Sequence, residues 1–154
     1  MAALVAAIAI LGVVVVLQTG GGADEVDATT SADIQAVFQN GGSYVLTSDV
    51  EINGGTVSSD LVLDLNGHTL TTTDSIQINA RFTVNDSSSN NTGMIYASID
   101  SDMITVGYEE LSTEKAPNAS LIMNSGTIVL ESNINGSDTI TAFEDVVING
   151  GIIQ

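Results

Sequence analysis

Few side chains in this 154-residue chain could move a proton, hold a metal or neutralise a substrate carboxylate. His68 is the single histidine, and Arg81 and Lys115 are the only cations, against 19 Asp and Glu. A Ser-His-Asp triad would have to be built on His68, and no G-x-S-x-G elbow accompanies it. A histidine-pair metal site is excluded by count. Lyase chemistry on an acidic polysaccharide needs a cation to balance the substrate carboxylate, and a base. Lys115 sits in "EELSTEKAPN", which reads as an exposed loop, and Arg81 precedes a strand, so both read as surface charges. Carboxylate pairs of the hydrolase kind exist in outline. Asp100 and Asp102 are two residues apart, and Glu109, Glu110 and Glu114 cluster. These residues also read as solvated acidic loops, and no EF-hand or glycine-aspartate repeat spacing marks a calcium site. The sequons at Asn85, Asn90, Asn118 and Asn135 are what a chain rich in Asn, Ser and Thr produces by chance. No catalytic residue, metal or cofactor is therefore expected.

Composition bounds the partners. The formal net charge is -17, and two cations cannot form the basic patch that a phosphate backbone requires, so nucleic acid is excluded. Anionic bilayers are disfavoured for the same reason. Cysteine is absent, which removes disulfides and thiolate sites. Apolar residues make up 44% of the chain and aromatics only 4%, so Val, Ile, Leu and Met must fill the core. Small stacked aliphatics suit layered β-structure.

Four stretches follow along the chain. Residues 1–18 open with the uncharged run "MAALVAAIAILGVVVVL". A signal peptide would begin with Lys or Arg. A membrane anchor would be longer and flanked by cations. With the run intact from Met1, the favoured reading is an assembly element covered by other subunits, with Leu4, Ile8, Leu11, Val14 and Val16 as candidate contact residues. Residues 19–30 read as an acidic flexible linker. Residues 31–42 read as a short capping helix, with Ser31 as N-cap and Ile34, Val37 and Phe38 on one face. Residues 43–154 alternate apolar and polar between turns rich in Asn, Gly and Ser, which predicts an all-β domain.

That domain contains a repeat: apolar, any, apolar, Asn, a short glycine-containing turn, apolar. Its copies are centred on Asn53, Asn66, Asn85, Asn124 and Asn149, separated by 13, 19, 39 and 25 residues. The 39-residue gap leaves room for one degenerate rung near "MITV", Met103 to Val106. These spacings fit the coils of a parallel β-solenoid, in which the five asparagines mark structural turns and can bond one another from coil to coil. Alternation places Leu63, Leu65 and Leu70 inside and Asp64 and His68 outside. The alternative is an antiparallel β-sandwich in which each Asn-Gly is a hairpin turn.

The segment from Gly41 to Thr71, with "LDLNGHTL" at its centre, resembles the first coils of right-handed parallel β-helix domains of the pectate-lyase-like type. The resemblance implies the fold and carries no activity. The N-terminal "LGVVVVLQ" with "ADIQAVFQNGG" is similar to the start of head fibre or decoration proteins of tailed bacteriophages. Together they imply a non-enzymatic structural protein at a virion surface. It would be a homo-oligomer, such as a trimer, docked on a capsid protein. The alternative is a secreted or cell-surface β-helix module that binds glycans or mediates adhesion. Because "VVINGGIIQ" stops within a coil, a partner or further chain beyond Gln154 is expected to cover it.

Overall fold

The computed structural model describes residues 6–10, 13–17, 26–28, 30–108, 116–133 and 135–154. The chain begins with β1 (Ala6–Ile10), β2 (Val13–Leu17), β3 (Val26–Ala28) and α1 (Ser31–Asn40). It continues through β4 (Gly42–Leu46), β5 (Val50–Ile52), β6 (Gly55–Val57), β7 (Leu61–Asp64), β8 (Thr69–Thr72), β9 (Ile76–Ile78), β10 (Arg81–Asn85) and β11 (Met94–Ser98). It ends with β12 (Ile104–Val106), β13 (Ser120–Met123), β14 (Thr127–Glu131), β15 (Ile140–Ala142), β16 (Asp145–Ile148) and β17 (Ile152–Ile153).

Three parallel sheets are built from strands three apart in sequence, except that β3 pairs with the next strand, β4. The first runs β16-β13-β10-β7-β4-β3, the second β17-β14-β11-β8-β5 and the third β15-β12-β9-β6. One three-strand repeat therefore lies on the next, and the register puts like-facing residues into columns. Tyr44, Leu63, Val84, Met123 and Ile148 form one column in the first sheet. Val50, Leu70, Ile95, Ile128 and Ile153 form one in the second. Val57, Ile78, Val106 and Ala142 form one in the third. Leu63, Leu65 and Leu70 are fully buried, as alternation predicts. The antiparallel sandwich does not occur: from Gly42 onward every pairing among the described strands is parallel. At Asn66-Gly67 the chain leaves β7 for a different sheet, so the two flanking strands pair with strands of other repeats and not with each other.

Helix α1 packs against β5 and β6 and closes one end of the columns. Ile34, Val37 and Phe38 are its buried face. The Phe38 ring meets Phe82 edge-on with centroids 6.1 Å apart, and Gln35 donates to the Gly54 carbonyl at 2.8 Å. The N-cap is Thr30 rather than Ser31. Its hydroxyl accepts from Asp33 N–H, and the Asp33 carboxylate accepts from Thr30 N–H, a reciprocal box that Ser31 could make only with Ile34 as partner. The expected linker over 19–30 contains a strand: β3 pairs in parallel with β4, and Ala28 is fully buried against the core. The rung expected near "MITV" is present as a strand, without an asparagine corner. Ile104–Val106 is β12, the third-sheet strand of its repeat.

Of the candidate assembly residues, Leu4 and Leu11 lie outside the described residues. Ile8 is in β1, and Val14 and Val16 are in β2; the two strands form an antiparallel pair with Ile8 opposite Val15. At the far end of the stack Ile148 is 45% exposed and Ile153 39%, whereas Met123 and Ile128 one repeat below are fully covered.

The columns generate the first expected outcome. Leu70→Ala, in the middle of a column, should lower unfolding free energy by about 2–5 kcal/mol. The neighbouring outward change Thr71→Ser should stay within about 0.5 kcal/mol. Equal losses for the two in urea titrations would contradict the packing.

Candidate functional site

The acidic residues that head a search for chemistry hold backbone amides of adjoining repeats. At the corners the chain leaves the ladder, so N–H groups need other acceptors, and a carboxylate is a strong one. Asp49 accepts from Thr69 N–H at 2.9 Å and Asp60 from Arg81 N–H at 3.0 Å. Asp100 accepts from Asn133 N–H at 2.9 Å, and Asp102 from Asp138 N–H at 3.0 Å and the Thr141 hydroxyl at 2.6 Å. The pair Asp100 and Asp102 thus pins both ends of the segment 133–138 and does not converge on one point. Hydrogen bonds from Thr141 and Asp138 hold the Asp102 carboxyl below the usual Asp value.

The most elaborate arrangement is the corner between the first and second sheets. Asp64 is buried, against the expectation that it faces outward, because Asn66 N–H and Ser87 N–H both donate to its Oδ1, at 2.8 and 2.9 Å. Asp86 is buried too. Its Oδ1 accepts from Gly67 N–H at 2.8 Å and Ser88 N–H at 3.1 Å, and its Oδ2 from Gly93 N–H at 2.8 Å. Burial pushes this carboxyl up, but the bonds from Ser88, Gly93 and Gly67 outweigh it and leave it below the usual Asp value. Gly93 is required by closeness: a Cβ there would lie 2.6 Å from both Asp86 Cγ and Leu65 Cβ.

Beside this corner runs the asparagine ladder, and it has three members. Asn149 Nδ2 donates to Asn124 Oδ1 at 2.8 Å, and Asn124 Nδ2 to Asn85 Oδ1 at 2.9 Å. Asn66 is not in it. The residue in register with Asn85 is Asp64, and Asn66, two positions later, turns the chain with φ of 46° while its Nδ2 donates to the Leu46 carbonyl at 3.2 Å. Asn53 belongs to another corner, between the second and third sheets, where its Oδ1 accepts from the Thr73 hydroxyl at 3.0 Å. The ladder flanks an open groove of about 440 Å³ lined by Asn91, Asn124, Ser125, Gly126, Thr127, Gly151 and Ile152. Sequence reasoning missed Asp64, Asp86 and Ser125. The signal was there in the alignment of Asn85-Asp86 with Asn124-Ser125: Ser125 Oγ accepts from Asp86 N–H at 2.6 Å and donates to its carbonyl at 3.2 Å.

The remaining candidates are dispersed. His68 is half-buried, with Nδ1 3.3 Å from Asp49 Oδ1, and Arg81 forms an exposed ion pair with Asp60 at 3.7 Å. Lys115, Glu109, Glu110 and Glu114 lie outside the described residues. Among the described residues no three His, Asp or Glu groups are placed to hold a metal ion, and no helix is long and apolar enough to cross a membrane. No protein-family model, curated protein or solved structure matches this chain.

Three outcomes follow. Asp86→Asn is nearly isosteric but places an amide donor against Gly93 N–H or its neighbours, so stability should fall by about 1–3 kcal/mol. Asn124→Ala frees only exposed amides and should cost less, about 0.5–1.5 kcal/mol. A carboxyl held below its unfolded value contributes fully above the usual value of about 4 and loses that contribution as pH falls through the lower folded value. Denaturant midpoints measured from neutral to strongly acidic pH should therefore drop for the parent chain, and drop less for Asp86→Asn.

Proposed function

We propose that the chain is a non-enzymatic structural module, a right-handed parallel β-helix that docks through its apolar N-terminal segment and projects an acidic stack. The observation that carries this reading is the use of the carboxylates: Asp49, Asp60, Asp64, Asp86, Asp100 and Asp102 each accept a backbone N–H from an adjoining repeat. The residues best suited to chemistry are engaged in holding one repeat to the next. Right-handed winding follows from the preference of parallel crossovers, about 98% of which take that hand. The similarity of Gly41 to Thr71 to pectate-lyase-like coils points the same way.

The setting we propose is a virion, with this chain as a head fibre or capsid decoration protein present in several copies. One feature supports an assembled state. Residues 1–17 carry no charge in a chain of net -17, so this segment approaches another acidic copy without repulsion.

Mass spectrometry of purified particles from the source should find the chain at stoichiometric levels. A variant starting at residue 18 should keep the circular dichroism of the parent yet fail to join particles. Recovery in a membrane pellet that only detergent extracts would overturn the virion reading in favour of a surface-anchored module.

A further inference from the structure

We infer that Asn135 is a site of spontaneous deamidation, and that the fold shields the other Asn-Gly steps of the chain from the same reaction. Asn-Gly is the dipeptide most open to it, because glycine has no Cβ to hinder ring closure. The Gly backbone nitrogen attacks Asn Cγ, the Cγ–Nδ2 bond breaks, and ammonia leaves with the amide proton to give a five-membered succinimide. Water then opens the ring at either carbonyl, giving aspartate or isoaspartate. The step needs a free Gly N–H and an Asn side chain able to swing over it.

The chain has five such steps, at Asn40, Asn53, Asn66, Asn135 and Asn149. In four of them the attacking nitrogen is already committed. Gly41 N–H donates to the Val37 carbonyl at 2.9 Å, and Gly150 N–H to that of Met123 at 3.4 Å. Gly54 N–H donates to the buried Thr72 hydroxyl at 3.1 Å, and Gly67 N–H to Asp86 Oδ1 at 2.8 Å. Three of the asparagines are held as well: Asn53 by Thr73, Asn66 by the Leu46 carbonyl and Asn149 by Asn124. Asn135 and Gly136 are both exposed, and a Cβ on Gly136 would meet nothing within 4 Å. No hydrogen bond ties either of them among the described residues.

The location gives the reaction a structural effect. The segment is stapled on one side by Asn133 N–H on Asp100 and on the other by Asp138 N–H on Asp102. Aspartate adds a negative charge to a segment already held by two carboxylates, and isoaspartate inserts a methylene into the backbone between its held amides.

The test is incubation of the full chain in mildly alkaline buffer, folded and in denaturant, with peptide mass mapping of all five steps. In the folded chain Asn135 should convert at least roughly tenfold faster than each other step, the factor in rate that one hydrogen bond of barrier represents. In denaturant the five rates should converge. Equal rates in the folded chain would overturn the inference, as would the same preference persisting in denaturant. Thr72→Val, which removes the acceptor of Gly54 N–H, should raise conversion at Asn53 alone; no rise would contradict protection by the N–H bond.

Discussion

In-register parallel pairing between strands three apart in sequence is the constraint from which the remaining features follow. A strand in one repeat has no freedom to choose its depth or facing, because the strands on either side of it fix both. Each inward position must therefore hold a side chain that packs against its equivalents above and below. The resulting columns of Leu, Ile, Val and Met explain why a chain with 4% aromatics forms a closed core. Phe82 is the exception that proves useful, because its ring extends to Phe38 and ties the stack to the helix.

The same constraint shapes the electrostatics. Strands of two to five residues satisfy their backbone groups against neighbouring strands, but the corners between them expose N–H groups. Asp side chains take up these groups, and a carboxylate bonded to two or three amides loses little by partial burial, as at Asp86. An acidic composition that looks like a solvated surface is thus partly internal bracing. It leaves the fold dependent on those groups staying ionised.

The sequence made some of this legible and hid the rest for identifiable reasons. Alternation in "LVLDL" is enough to place Leu63 and Leu65 inside, since one buried face dictates the parity of a strand. Helix α1 was readable from Ile34, Val37 and Phe38, although the cap moved by one residue to Thr30. Register was not readable. Asn66-Gly67 has the same local turn chemistry whether the next strand folds back or pairs about twenty residues away, so similar motifs at Asn53 and Asn66 look equivalent while occupying different corners. The third sheet was hidden because β6, β9, β12 and β15 have three residues each and no distinctive turn marks them. Asp64 was misplaced because it is the last residue of β7, where the amides of Asn66 and Ser87 at the adjoining corner engage its carboxylate.

The Asp86 carboxylate also acts as a clasp on a loop. It holds Ser88 N–H on the way out and Gly93 N–H on the way back, and it fastens both to Gly67 of the repeat below. The chain leaves and re-enters the stack through this neck, which Thr92 also fastens to Ser88 and to the Gly67 carbonyl, so the loop tip lies beyond the bonds that hold β11 in place. Length there is uncoupled from the architecture. A family of such proteins would be able to lengthen, shorten or replace this loop while the wall behind it stays the same, which makes the tip at Asn90 and Asn91 the natural position for presenting a foreign peptide.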